Sequence, residues 1–310
     1  MNAREIISDL RRQNIEILTE ERLTKVIEGK SHPVTYIGLE PSNSFHIGNW
    51  SSSLPVLKLV KAGFKGIILL ADLHALANDK GDMKEIQEYA HYDHEMYERV
   101  AKKMGLGGKL EYKLGTDFEN QSYFIQMLRL ARVVNFTEAE KSMDEISKST
   151  VSRMTSSVVY PLMQALDIGE LGVDVAVGGM DQRKVHALAI DNLRKLGYVT
   201  PVAIHTPILI GTDGKRKMSK SFGNSINLDE TQDSLEAKVR KTYCSPGDIE
   251  VNPILNWYSA FIFALSGGPL VFGKHEVPDY KGLETLWATK ELSPQELKAA
   301  VVRDLARILI

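Results

Sequence analysis

Short, wholly apolar runs alternate with longer amphipathic ones through the first two thirds of the chain. Runs of the first kind suit strands buried on both faces, and the amphipathic stretches suit helices packed over them. Val34 to Ile37 and Gly66 to Ala71 read as buried strands, the latter carrying Ile67-Ile68-Leu69-Leu70, with a helix from Ile47 to Leu59 between them. A second set follows: an amphipathic helix from Val151 to Leu166, a strand over Val173 to Val177, a helix over Arg183 to Leu196 and an extended stretch over Val202 to Leu209. Two strand-helix-strand halves in this order predict an α/β fold built on a parallel sheet. An insertion of about residues 105–148 separates them, and its helical segment around Phe124, Ile125, Met127, Leu128 and Leu130 has a surplus of apolar faces. A subunit interface and packing within the chain account for that surplus equally well.

Beyond Asn227 the strand pattern fades. Asp229 to Thr242, Asn256 to Leu265, Tyr280 to Ala288 and Pro294 to Leu309 predict four helices, with Ser293 capping the last and Pro294 in its first turn. The expected division is an α/β domain over 1–228, containing a glycine-flanked loop at 211–224, and an all-α module over 229–310.

Composition changes this picture little. The 310 residues are 43% hydrophobic and 25% charged, as in an ordinary globular protein. The single cysteine, Cys244, excludes an internal disulfide framework. No apolar run approaches the ~20 residues of a membrane span, and no signal-like segment opens the chain, so a cytoplasmic protein without membrane contact is expected. The net charge of -2 conceals two basic clusters, Lys215, Arg216, Lys217 and Lys220, then Lys238, Arg240 and Lys241. Such clusters are usually solvated faces, but they can also meet a phosphate backbone locally.

Candidate chemistry sits in two segments. Gly38-Leu39-Glu40-Pro41-Ser42 follows the first strand, and the turn after it delivers His46-Ile47-Gly48-Asn49 to the start of a helix. There a histidine can donate to phosphate oxygens, and Gly48 leaves room for a flat base against the backbone. Far downstream, Lys217-Met218-Ser219-Lys220-Ser221 lies between Gly211-Thr212-Asp213-Gly214 and Gly223. Glycines on both sides suit a loop that closes over a ligand, and its two lysines suit the charge that moves onto a leaving pyrophosphate. A plain strand-to-helix turn and a solvated loop would explain either segment alone. Together they point to a split ATP site.

The pair H-I-G-N and K-M-S-K-S resembles the two signatures of class I aminoacyl-tRNA synthetases, and the rest of the chain resembles the tyrosyl-tRNA synthetase family of archaeal and eukaryotic type. Tyr36 to Ser42, Ala71 to Ala75, Asp167-Ile168, Tyr243-Cys244 and above all Tyr160 to Lys184 carry the likeness. The resemblance implies a Rossmann-type catalytic core, a homodimer formed through the insertion, and a helical anticodon-binding module. It implies a tyrosine-tRNA ligase that activates L-tyrosine with ATP, bound with Mg²⁺, and charges tRNA(Tyr); no His or Cys cluster has protein metal-ligand spacing, so no structural metal is expected.

Residue by residue, Tyr36 and Asp167 match the pair that hydrogen-bonds the tyrosine hydroxyl. Tyr160, Gln164 and Gln182 match the residues that hold its ammonium and carboxylate. Gly179 and Asp181 match positions near the adenosine ribose, and Gly38, Gly48, Met218 and Ser219 fall in the ATP-binding segments. His46, Asn49, Lys217 and Lys220 take the catalytic positions. Spacing supports part of this independently, because Tyr160, Gln164 and Asp167 stand at i, i+4 and i+7 and share one helical face. A carboxylate buried there needs a donor, which a substrate phenol supplies.

Two positions depart from the family. Asn49 stands where histidine is usual and can hydrogen-bond but not carry charge. Residues around Ser293 and Glu296 differ in the terminal module, where Phe261 is the expected surface for stacking on a tRNA base. Asn49 also keeps two alternatives open, a tryptophanyl-tRNA synthetase and a non-catalytic tRNA- or nucleotide-binding paralogue.

Overall fold

A computed structural model describes residues 2–143 and 154–310. The first residues of the helix expected from Val151, and the end of the expected insertion at 144–148, lie outside the described residues. The chain divides into two compact units.

The first unit comprises Met1–Ile7, Glu16–Asn43 and Ser52–His205. At its centre is a six-stranded sheet of β1 (Glu16–Leu18), β2 (Val34–Leu39), β3 (Lys65–Leu70), β4 (Leu110–Leu114), β5 (Val175–Gly179) and β6 (Val202–Thr206), in the order β1-β6-β5-β2-β3-β4. Strand β2 runs parallel to β3 and β5, and β3 parallel to β4, with Tyr36 opposite both Ile67 and Ala176. Such pairing needs a crossover between strands, which is why helices alternate with strands in the chain. The apolar runs form β2 and β3 because helices cover both faces of the sheet. Tyr36, Ile67, Leu69, Leu166, Ala176 and Leu188 belong to the resulting core.

Two sheet members escape the sequence pattern. The three-residue β1 pairs antiparallel with β6, too short to show a period. The other, β4, falls in the stretch read as insertion, so that reading is corrected: residues 110–114 complete the sheet, and helices follow from Gln121–Ala131 onward. Its half-buried Glu-Tyr-Lys centre, typical of an edge strand, conceals it. The pattern also passes over Met83–Lys103, a helix whose start is fixed by a reciprocal capping box between Asp82 and Glu85.

The second unit comprises Ser8–Ile15, Ser44–Ser51 and Thr206–Ile310. Its helices include Gln232–Lys241, Tyr280–Ala288 and Pro294–Leu309, the last capped by Ser293 with Glu296 closing the box. The helix expected over Asn256 to Leu265 is instead a π-turn, Tyr258–Ile262, set between Pro253–Trp257 and Phe263–Ser266. A hairpin of β7 (Leu270–Phe272) and β8 (His275–Val277) joins the helices. Phe261 overturns one expectation: it is fully buried, edge-on to Trp50 with ring centroids 5.4 Å apart, and offers no face to a nucleic-acid base. Large aromatics form this core, among them Trp257, Tyr258 and Trp287, and the Tyr258 hydroxyl donates to buried Asp304 at 2.8 Å. Among the described residues, no helix is long and apolar enough to cross a membrane.

Candidate active site

In the first unit, β2, β3, β4 and β5 bring their carboxyl ends to one edge of the sheet, the edge at which open α/β sheets bind ligands. Tyr36 and Gly38 lie in β2 itself, Asp72 and His74 follow β3, Gly115 and Glu119 follow β4, and Gly179 ends β5 with Met180 to Gln182 after it. Helix Ser156–Glu170 adds Tyr160, Gln164 and Asp167, all three buried, so the i, i+4, i+7 face turns inward as its spacing predicts.

Asp167 is fully buried, and its two oxygens differ. The Tyr123 hydroxyl lies 2.6 Å from Oδ1 and 2.9 Å from the Met163 carbonyl. Oδ2 accepts no hydrogen bond from any described residue; His74 Nε2 lies 3.4 Å away but out of line for one. Burial raises the Asp167 pKa well above the usual carboxyl range, the negative charge of Glu119 adds to the rise, and the Tyr123 hydrogen bond opposes it. His74 is pushed down to about 4 by burial, so it is neutral and brings no compensating charge.

Tyr36 is 1% exposed, and its hydroxyl packs so near Gly38 that a Cβ there would stand 2.5 Å from it. Glycine at 38 therefore serves the tyrosine two residues before it. Tyr160 stacks edge-on against His74 with centroids 4.8 Å apart and hydrogen-bonds to Glu40, which Asn78 holds at 2.8 Å. Gln164 Nε2 donates to Gln182 Oε1 at 3.0 Å, while Gln164 Oε1 is left without a described donor. The unmatched acceptors of Asp167 and Gln164 are thus one carboxylate oxygen and one amide oxygen, and Glu119 Oε1 and both ring nitrogens of His74 likewise lack a partner among the described residues. A buried acceptor without a donor costs about 1–3 kcal/mol, which a ligand with matching donors recovers. Gly179 ends β5, and Asp181 and Gln182 occupy the single 3-10 turn after it.

The second unit holds the other predicted segment. His46 opens helix Ile47–Lys61, and its ring Nδ1 accepts from the Gly48 N–H at 3.1 Å. Asn49 Oδ1 accepts from the His46 N–H at 3.0 Å. The two side chains therefore form a reciprocal cap from residue types not usually found in one. That geometry gives Asn49 a positive reason, since it supplies the acceptor that completes the box. It also assigns the histidine tautomer: with Nδ1 accepting, the proton sits on Nε2. Burial lowers the His46 pKa to about 4, so the ring acts as a neutral donor. Gly48 is required by the cap, because a Cβ would stand 2.8 Å from Nδ1.

In the same unit the basic loop is pinned from beneath by buried Asn224, whose Oδ1 accepts from Ser219 N at 2.9 Å and whose Nδ2 donates to the Lys217 carbonyl at 3.3 Å. Asn256 and Trp257 hold its entry at Ile210, at 2.8 and 2.7 Å. The Met218 side chain is buried and anchors the loop, whereas Lys217 and Lys220 are exposed. Ile47 N also donates to Ile226 O at 2.9 Å, which ties the start of the histidine helix to the segment following the lysines. The two halves of the predicted ATP motif are therefore joined by main chain.

Sequence reasoning misses His74, Glu119 and Tyr123. Asp72-Leu73-His74 directly after a strand is a signal for the first, but Glu119 and Tyr123 depend on recognising β4.

Residues 28–309 match the family described as tRNA synthetases class I (W and Y). The tyrosine-tRNA ligase of Archaeoglobus fulgidus is 41% identical over 302 residues, covering 95% of this chain and 92% of its own. The crystal structure of the tyrosyl-tRNA synthetase of that organism, complexed with L-tyrosine, superposes with a TM-score of 0.88 at 40% identity, over 98% of this chain and 97% of that one. A tryptophanyl-tRNA synthetase of Aeropyrum pernix shares the fold, with a TM-score of 0.74 over 100% of this chain and 88% of its own, at only 21% identity. The chain belongs to the class I tyrosyl- and tryptophanyl-tRNA synthetase family, on its tyrosine-tRNA ligase branch.

Proposed function

We propose that this chain forms tyrosyl-adenylate from L-tyrosine and Mg-ATP and passes the tyrosyl group to tRNA(Tyr) through the residues described above. The observation that carries the assignment is Asp167: a buried carboxylate with one oxygen satisfied internally and the other left for a donor. A substrate phenol is such a donor, and Tyr36 faces its oxygen from β2. Tyr160, Gln164 and Gln182 hold the amino-acid end, with Gln164 Oε1 accepting from the ammonium. Gly38, Gly179 and Asp181 serve the adenosine.

The tyrosine carboxylate attacks the α-phosphate and pyrophosphate leaves; a terminal ribose hydroxyl of tRNA then attacks the acyl carbon and AMP leaves. No side-chain nucleophile is needed. Catalysis is positioning plus charge stabilisation. His46 donates from Nε2 to phosphate oxygen, Asn49 fixes that ring through the cap, and Lys217 and Lys220 neutralise charge developing on pyrophosphate, with Mg²⁺ bound by the phosphates and Ser219 alongside.

The exposed apolar face of helix Gln121–Ala131, with Phe124, Ile125 and Leu128 each about half exposed, supports a homodimer. Helices of the second unit supply the anticodon-binding surface, without Phe261. The single cysteine supports a reducing, cytoplasmic setting.

Amino-acid-dependent exchange of pyrophosphate into ATP tests the reading. Exchange with tyrosine, and not with tryptophan or phenylalanine, is expected; exchange driven by tryptophan alone, or none, overturns it.

A further inference from the structure

Tyr243 carries part of the family likeness and takes no part in the chemistry proposed above. It lies in the second unit, just past the end of helix Gln232–Lys241. The turn that precedes the lysines of the basic loop belongs to the same unit and closes on itself. Gly211 N donates to Arg216 O at 2.8 Å and Gly214 N to Gly211 O at 2.9 Å, while Ile210 pairs antiparallel with Lys217. Asp213 Oδ1 accepts from Lys215 N at 3.1 Å. A closed turn passes its own position to the residue that follows it, so the place of Lys217 depends on what holds residues 211–216.

Tyr243 holds them by main chain and by ring. Its N–H donates to the Thr212 carbonyl at 2.9 Å. Its ring lies against Gly214: a Cβ built there would stand 2.9 Å from Tyr243 Cδ1, 3.0 Å from Cγ and 3.1 Å from Cβ. Gly214 also has φ +69°, in the left-handed region, so the backbone and the ring both require glycine. The far end of the ring is held in turn. The Tyr243 hydroxyl donates to Asp248 Oδ2 at 3.2 Å, and Asp248 Oδ1 accepts from Glu250 N and Val251 N at 3.0 and 3.1 Å. The Asp248 carbonyl accepts from Trp287 Nε1 at 2.9 Å. Trp287 is fully buried on helix Tyr280–Ala288, so the support runs from the packed helices to the turn.

We propose that Tyr243 is a positioning residue for adenylate formation: its ring is the platform that fixes the 211–216 turn and, through it, the place of Lys217. This rests on the reading of the basic loop given above and deepens it. Asn224 holds the loop at Lys217 and Ser219, and Tyr243 holds the turn before them. A lysine displaced by about 1 Å meets less of the charge that develops on the leaving group, so the loss falls on kcat.

The test is pyrophosphate exchange by the full-length chain, with kcat counted per tyrosine-binding site measured by calorimetry. Tyr243 is 42% exposed, so its replacement leaves the core intact. Tyr243→Ala is expected to lower kcat about tenfold with tyrosine KM unaltered, because the lysines are assigned to pyrophosphate and not to the amino acid. Tyr243→Phe keeps the ring and restores kcat to within about threefold of native. Gly214→Ala, which forces a side chain onto the same ring, also lowers kcat about tenfold. Removing the ring makes room for that side chain, so the double variant loses less than the product of the two single losses. Native kcat in Tyr243→Ala, a matching rise in its tyrosine KM, no recovery in Tyr243→Phe, or losses that multiply in the double variant overturns the proposal and leaves the tyrosine assignment intact. Absence of tyrosine-dependent exchange in the native chain overturns the reading on which the proposal rests.

Discussion

At the scale of single residues, the site depends on polar atoms buried without full internal satisfaction. Asp167 has no exposure and one oxygen open to a ligand, so its cost to the fold is recovered when a donor binds. Asp167→Ala is expected to lower kcat/KM for tyrosine about a hundredfold through KM, read in pyrophosphate exchange. Unchanged KM would remove Asp167 from the pocket. Glu119 makes a separate prediction about the fold without ligand. Its folded-state pKa lies above the unfolded value of 4.5, so its contribution is fully present below pH 4.5 and is lost as pH rises through about 7. Glu119→Gln should therefore melt above the native chain at pH 8.5, and the gap should close below pH 4.5.

At the scale of elements, the basic loop and the histidine helix behave as one piece. Asn224 is 2% exposed and bridges two points of the loop, while the Ile47 to Ile226 main-chain bond carries that order to the helix start. Asn224→Ala removes both loop bonds. The expected result is at least a tenfold lower kcat for adenylate formation, with tyrosine KM little altered, because the role proposed for the lysines is on the departing pyrophosphate. An equal change in tyrosine KM would contradict the division of labour. Asn252 fixes the helix that includes Trp257, accepting from Ile254 N and Leu255 N at 3.0 and 3.3 Å. Asn252→Ala should cost about 1 kcal/mol in urea unfolding, as loss of a buried cap does.

At the scale of the whole molecule, each compact unit carries a different part of the chemistry. The residues proposed to hold the amino acid lie at the strand ends of the first unit, and the histidine and lysines proposed to meet phosphate lie in the second. Leu128, 52% exposed on a helix with Phe124 and Ile125, is the residue on which association can be tested. Leu128→Asp should convert a dimer to monomer in sedimentation, since a charge in an apolar interface is left unpaired. A native chain that sediments as a monomer removes the dimer from the reading.

What the sequence determines by itself is whatever short-range chemistry encodes. Apolar runs long enough to be buried on both faces reveal β2, β3 and β5, and the cap and proline at 293–294 reveal a helix start. The two segments expected to bind ATP are legible because each is one contiguous turn, and the Tyr160-Gln164-Asp167 face is legible because helical period alone aligns it. Only the tertiary structure decides what depends on chain brought from elsewhere. Tyr123 and Asp167 are 44 residues apart and meet because helices Gln121–Ala131 and Ser156–Glu170 pack against each other, and Glu119 follows a strand too polar to show a pattern. Phe261 looks like a stacking surface in sequence and is core in the fold, because aromatic residues pack equally well against a base or against Trp50. Sequence gives residue type and local period, but burial, which pushes the carboxyls of Asp167 and Glu119 upward, is a property of the packed molecule.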